Sequence, residues 1–409
     1  MTEPKRDLVE SPEQAAETGT LAARISLSQR AGGIAVPVAT VVVAFLMGGI
    51  VVLATGHNPL IAYRDVFDGA GLNWIFHPTT NIANTAAYNL SQTLLATTTL
   101  ILTGLAVAFA FRCGMFNIGG QGQYFVGFYA ANWVGTDLAG MSPVPHVLLA
   151  VGAAVVAGAV WAGIAGVLKA TVGAHEVIST IMLNWIAIWV GEWLVADGGP
   201  LQDPSQPFNP SSKVVSSSAQ LPVFWGSQSL QGLDIGIFVA LAALVAFWAI
   251  LNRTTVGYEV RAVGFNPDAA AYGGIDVRKN IIRAMAISGA FAGLAGALDM
   301  LGYLYQFSQN DIPVSAVGFL GIAVALLGRN TAVGTLLGAL LFGGLLFGTT
   351  HGLTSNVISP ELAGNLTYII QGLVVLFIGA DVLILYIWNS RRGLRGRGRR
   401  TARSAEAAA

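Results

Sequence analysis

Apolar residues run along this chain in long blocks separated by short polar stretches, and the blocks have the length of a membrane crossing, about 20 residues. Ten stretches qualify by hydropathy and length: 33–55, 88–111, 115–136, 146–170, 176–196, 233–252, 281–304, 313–328, 331–350 and 363–388. The block 313–328 is short and predicts a broken or tilted helix. The pattern therefore predicts an all-α polytopic membrane protein with about ten transmembrane helices. Five spans in each half would set the halves in opposite senses across the bilayer, as in an inverted repeat.

Composition narrows the class. Of 409 residues, 54% are apolar and 10% charged, whereas a soluble domain carries about 25% charged residues. A soluble globular protein, a disordered chain and a nucleic-acid-binding domain are excluded. The 21 Lys and Arg balance the 21 Asp and Glu, so no net field selects a partner. The one cysteine, Cys113, excludes a disulfide framework. His57, His77, His146, His175 and His351 lack metal-ligand spacing, and no catalytic cluster is legible.

Charge placement sets the expected orientation. With the N-terminus inside and ten spans, every Lys and Arg except Arg64 and Lys213 falls in an inner segment, as the positive-inside rule requires. Residues 1–30 are polar and contain no apolar signal-peptide core, so the first span is expected to be retained. The organisation is then a cytoplasmic N-terminal tail (1–30), a transmembrane domain (31–390) and a basic cytoplasmic tail (391–409). The Arg-rich tail reads as an inner stop and a contact for anionic lipid.

Two connections are long. Residues 197–232, outside, read as a solvated crossover loop or as a docking surface for an extracytoplasmic partner. Residues 253–280, inside, contain a capped helix signal. Asn266 can cap through its side-chain oxygen, and Pro267 suits the first helical position. Asp268 complements the helix dipole. Ala269, Ala270 and Ala271 favour helix, and Gly273 and Gly274 can supply a left-handed stop. The result is a short helix of about two turns, with a small-residue face suited to a groove on another protein.

This segment, GFNPDAAAYGGI (264–275), resembles the coupling-helix region of permease subunits of ATP-binding-cassette importers, in the branched-chain amino acid, ribose and nucleoside group. FNIGGQGQ (116–123) is similar to the FNIGAEGQ pattern of that group. HEVISTIMLNWIA (175–187) is similar to the HEVISTIMLNYIA pattern of its nucleoside branch. Gly120-Gln121 stands in place of Ala-Glu, and Trp185 in place of Tyr. The resemblance implies half of a transmembrane pathway in a bacterial cell membrane. It implies as partners a second permease subunit in a heterodimer, a cytoplasmic ATPase that holds ATP and magnesium, and an extracytoplasmic solute-binding lipoprotein. It also assigns ATPase coupling to Gly264, Asn266, Pro267, Ala269, Ala270, Gly273, Gly274 and Ile275. The expected solute is a nucleoside, with a simple sugar such as ribose as the alternative.

The chain fits that division of labour. A Walker-type site needs a Gly-Lys pair, and none of Lys5, Lys169, Lys213 and Lys279 follows glycine. No cofactor is expected on the chain itself. An ion-driven transporter would need titrating intramembrane acids. Glu176, Glu192, Asp299 and Asp381 are the candidates, and most fall near expected interfaces.

Polar residues at bilayer depth are costly and face a cavity or another helix. At helical spacing, Glu176, Ser179, Thr180 and Asn184 cover one arc of about 140°. Asn117 and Gln121 are four apart and share a helix face, and with Gln123 they stand among Gly114, Gly119, Gly120 and Gly122, which permit a backbone break. These seven residues are the pathway candidates; the alternative reading is interhelix hydrogen bonding for the 176–184 arc and simple close packing of helices for the glycine-rich 114–123 set. Neutral amides suit an uncharged, hydroxyl-rich solute, since they both donate and accept. Asp299, Tyr303, Gln306 and Asn310 read either as snorkelling to the outer interface or as an outer gate. Trp133, Trp193, Trp225 and Trp388 read as interfacial anchors.

Overall fold

Helix dominates the structure, a computed structural model that describes residues 37–78, 85–138, 140–206, 210–227, 231–310, 312, 317–353, 365, 368–370, 372–373 and 376. The chain divides into two compact units, residues 1–47 with 376–409 and residues 48–375. The helix α1 (Pro37–Ala54) belongs to the first unit up to Met47 and to the second from Gly48. All other elements named below belong to the second.

These are α2 (Pro59–Gly69), α3 (Thr85–Arg112), α4 (Gly120–Asp137), α5 (Pro143–Val172), α6 (Glu176–Val195), α7 (Gly236–Arg253), α8 (Thr255–Phe265), α9 (Pro267–Tyr272), α10 (Val277–Asp299), α11 (Val317–Leu327) and α12 (Ala332–Gly352). A π-helical turn, Met300–Leu304, continues α10. A small antiparallel pair, β1 (Val223–Trp225) and β2 (Leu233–Asp234), precedes α7.

Among the described residues, seven helices are long and apolar enough to cross a membrane: Pro37–Ala54, Ala86–Arg112, Pro143–Val172, Glu176–Val195, Gly236–Arg253, Val277–Leu304 and Ala332–Gly352. The expected span 115–136 starts late. Gly114 takes φ +74°, a left-handed conformation that stops α3, and helix resumes only at Gly120. The expected span 313–328 yields the 11-residue α11. The expected span 363–388 falls largely, and both tails and Trp388 fall wholly, outside the described residues.

Lipid tails are as apolar as leucine, so close packing and hydrogen bonds hold such helices together. α3 is buried along most of its length, whereas α5 is mostly open to its surroundings. α5 buries one stripe, Ala150, Ala154, Gly158, Ala162, Gly166 and Ala170, at every fourth position. That stripe meets Gly289 and Gly293 of α10. A Cβ on Gly293 would lie 2.3 Å from the Ala154 carbonyl oxygen, and Gly127 of α4 reaches the same point from the other side. Gly293→Leu is therefore expected to part three helices. Overpacking costs about 1–3 kcal/mol, and a lowered melting midpoint of the detergent-purified chain reports it. An unchanged midpoint would refute the packing role.

α10 packs on α5, α4 and α3, while α3 packs on α12, α11 and α10. Exchanging α3 with α10, α4 with α11 and α5 with α12 maps each pairing onto another. α3 and α10 run in opposite directions, since Ala106 meets Ser288 and Thr99 meets Asp299.

The reading of 197–232 as a solvated crossover is corrected. Its stretch 211–221 lies along the end of α10 and buries Ser211, Ser212, Val215, Ala219 and Leu221. The amides of Ser212, Val215 and Leu221 donate to the carbonyls of Phe307, Tyr305 and Leu301 at 2.8, 2.7 and 2.7 Å. The π-turn and the irregular segment after it free backbone groups that cannot stay unpaired at membrane depth, and this loop pairs them.

Candidate functional site

The break before α4 is closed by amide side chains. Asn117 and Gln123 form a reciprocal pair, each Nδ2 or Nε2 donating to the other's carbonyl oxygen at 2.9 Å. Asn117 Nδ2 also donates to Ser288 Oγ at 2.7 Å, and its Oδ1 accepts from the Gly119 amide at 2.9 Å. Asn184 of α6 straddles the same turn: its Oδ1 accepts from the Gly122 amide at 2.7 Å, and its Nδ2 donates to the Ile118 carbonyl at 2.9 Å. Gln121 Oε1 accepts from the Gly318 amide at 2.6 Å. A helix start leaves its first amides unsatisfied, and here side chains from α6 and the break itself satisfy them. Asn117, Gln121, Gln123 and Asn184 are each at most 2% exposed. The expectation that Asn117 and Gln121 share a helix face is corrected, because Asn117 precedes the helix.

The arc on α6 is less uniform than its spacing predicted. Thr180 and Asn184 are buried, with Thr180 Oγ1 donating to its own helix at the Glu176 carbonyl, 2.8 Å. Ser179 Oγ donates to the His175 carbonyl at 3.1 Å. Glu176 pairs with Lys169 at 2.8 Å across the turn joining α5 to α6. The opposite face exposes Ile178, Met182, Trp185, Trp189 and Trp193.

A cavity of about 340 Å³ opens between α4 and the end of α10. Tyr124, Phe125, Phe128, Tyr303 and Phe307 line it. The ring of Phe128 lies 5.8 Å from Tyr124, nearly parallel, and 5.3 Å from Phe307. Gln306 and Asn310, both exposed, stand on its rim. The floor is thus aromatic and the mouth carries amides. Ligand pockets combine these features, an apolar body with a few placed polar groups.

Beneath the cavity lies Asp299, 2% exposed. Its carboxylate accepts from Thr99 Oγ1 at 2.5 Å and from the Tyr124 hydroxyl at 2.7 Å, and Tyr303 bonds to it as well. The snorkelling reading of Asp299 is corrected: it faces inward and holds two of the cavity's aromatic walls. Buried Asp234 accepts from the Gly236 amide at 2.5 Å and sits against Gly302 in the π-turn. Of the tryptophans read as anchors, Trp225 packs on Trp74 at 5.2 Å.

The aromatic floor was missed in the sequence. Its signal is present: Tyr124, Phe125, Phe128 and Tyr129 recur at the one- and four-residue steps of a single helix face. Bulky aromatics in an apolar span read as packing until a cavity beside them is seen.

At the far end of α3, the loop 253–280 forms two helices, of which α8 was not expected. The capping signals of α9 are realised. Asn266 Oδ1 accepts from the amides of Asp268 and Ala269, each at 3.0 Å, and Pro267 opens the helix. Of the two candidate stops, Gly274 takes φ +83° whereas Gly273 stays at φ −75°. Ile275 then turns its amide back to the Ala270 carbonyl at 3.0 Å. Gly264 lies against α3: a Cβ there would meet the Arg112 carbonyl oxygen at 2.2 Å. Of the small residues of this helix and its stop, Ala270 is 5% exposed and points into the chain, whereas Ala269, Ala271, Gly273 and Gly274 lie exposed. Two aromatic rings flank these small residues, with Phe265 89% and Tyr272 98% exposed.

Cys113, at the end of α3, is buried, and burial pushes its thiol up to about 12. The thiolate is the reactive form. The folded chain is therefore expected to resist maleimide at mildly alkaline pH and to react once denatured; rapid labelling of the native chain would contradict the burial.

The family pattern described as branched-chain amino acid transport system / permease component matches residues 89–379. The chain is 38% identical to the guanosine ABC transporter permease protein NupP of Bacillus subtilis (strain 168), over 88% of this chain and 97% of that one. It is 34% identical to the nucleoside ABC transporter permease protein NupB of Lactococcus lactis subsp. cremoris (strain MG1363), over 85% and 91% of the two chains. It is 33% identical to the glucose ABC transporter permease protein TsgB13 of Haloferax volcanii, over 84% and 86%. No solved structure matches the chain. The broken α3–α4 helix, the buried amide closure and the capped α9 thus stand in a multi-pass membrane protein that belongs to the branched-chain amino acid transport system permease family.

Proposed function

We propose that this chain is the permease subunit of an ATP-driven nucleoside importer and that the cavity between α4 and the end of α10 receives the nucleobase. One observation carries this reading: five aromatic side chains enclose a space of about 340 Å³ with two exposed amides at its mouth. Every base has a face to stack on an aromatic ring, and amides can donate to and accept from base edges and ribose hydroxyls. The similarity to permeases named for guanosine and nucleosides supports the solute class.

Asn117, Gln121, Gln123 and Asn184 act in this reading by holding α4 in register beside the pathway, with Glu176, Ser179 and Thr180 continuing the polar face of α6. The exposed apolar face of α6 suits a second permease subunit. The α8–α9 end faces the cytoplasm, where Gly264, Asn266, Pro267, Ala269, Gly273, Gly274 and Ile275 shape the docking site of an ATPase that carries ATP and magnesium. A solute-binding lipoprotein delivers the nucleoside to the opposite face. The packing of α3, α4 and α5 against α10, α11 and α12 supports two repeated halves.

A simple sugar is the second reading, favoured by the similarity to a permease named for glucose. Radiolabelled uptake in cells deleted for this chain, with nucleoside and ribose in parallel, separates the two. Loss of nucleoside uptake alone, restored by the intact chain, is the expected result. Loss of ribose uptake alone would move the solute to sugars.

A further inference from the structure

A second cavity, of about 160 Å³, lies at the α8 end of the bundle. Three spans terminate around it: α3 at Arg112, α7 at Arg253 and, beginning there, α12 at Ala332. Span ends mark the level of lipid headgroups. Its floor is apolar, with Phe247 and Leu251 buried. Trp248 forms an exposed wall, and Arg253 lies over that ring at 5.2 Å.

Arg112 and Arg261 both line this cavity, and no acidic residue does so among the described residues. Arg112 donates from Nε and Nη2 to the Asn330 carbonyl at 3.0 and 2.6 Å, and Arg261 donates from Nε to the Gly257 carbonyl at 3.2 Å. Neither makes an ion pair among the described residues. Guanidinium groups stay charged at any physiological pH. Two of them in a cleft of low dielectric repel one another unless an anion sits between them. The N-terminal end of α12, capped by Thr331, adds partial positive charge to the same wall.

We propose that this cavity binds a phosphate group, and that its source is the headgroup of an anionic phospholipid. The apolar floor and the exposed tryptophan continue the site toward the acyl region, which a free phosphate would not use. Guanidinium is the preferred partner of phosphate oxygens, and Asn252, whose amide has a second N–H, offers a further donor on the rim. The site joins the end of α3 to α8, so an occupied headgroup would brace the helix pair that carries the coupling surface.

The test uses the full-length chain in vesicles of phosphatidylcholine with and without phosphatidylglycerol, followed by native mass spectrometry. Wild type is expected to retain phosphatidylglycerol, and Arg261→Gln to retain about tenfold less, the worth of one charge-assisted contact. Asn252→Asp is the second variant. Asn252 is exposed, and its one described side-chain bond is a donation to the Trp248 carbonyl at 2.9 Å in its own helix; a carboxylate loses that bond but can turn to solvent, so it is added to the rim at little structural cost. It is expected to expel the lipid equally. Wild-type retention by both folded variants would overturn the proposal. Retention of inorganic phosphate in phosphatidylcholine alone, lost in the variants, would overturn the lipid source.

Discussion

A transporter carrying Phe128→Leu is expected to take up nucleoside about five- to 150-fold more slowly far below saturation, because base–aromatic stacking is worth about 1–3 kcal/mol per base. Phe128 stands between Tyr124 and Phe307, so its ring is the centre of the cavity floor. Leucine nearly preserves the volume, and such exchanges cost less than about 1.5 kcal/mol of stability. Alanine would be a poor probe, since emptying the site of a phenylalanine costs about 3–5 kcal/mol. The control is built into the chemistry. Ribose has no base, so any ribose uptake by the same transporter should keep its rate. Equal loss for both solutes would mean that the ring only packs, and unchanged nucleoside uptake would remove the cavity from the pathway.

The second large effect is expected at the opposite end of the bundle. Replacing Phe265 and Tyr272 with alanine should weaken association with the ATPase about 30-fold or more, since each anchor of a protein interface is worth about 2 kcal/mol or above. The folded permease loses little, because both rings are almost fully exposed. Nucleoside uptake should fall with the association, while expression and melting midpoint stay at wild type. Ala270→Glu is expected to behave differently: that side chain points into the chain, and a charge there would unseat α9. Wild-type ATPase association in the double variant would place the docking surface elsewhere.

The α9 loop shows what a sequence makes legible. Asn266, Pro267 and Asp268 act within one turn of backbone, so their capping role can be read from spacing alone. The glycines around Asn117 permitted either a break or close packing, and the left-handed conformation of Gly114, which stops α3, decides for the break. Which side of α9 faces outward was not legible. Ala269, Ala270 and Ala271 are chemically alike, and only the packing of α9 separates the buried one from its neighbours.

Asp299 makes the limit plain. Its position near a span end predicts an exposed carboxylate, and its burial depends on Thr99 and Tyr124, 200 and 175 residues away in the chain. The aromatic floor depends in the same way on Phe307 meeting α4, and the basic cavity on Arg112 meeting α8 and α12. By itself the sequence determined the membrane class, most of the spans and the capped α9, since hydropathy and capping act within a single helix. Only the tertiary structure decided which polar groups close the break, where the cavity lies and which residues of α9 are exposed. Those outcomes follow from which small-residue stripes allow helices to meet, and that is a property of pairs of helices distant in sequence.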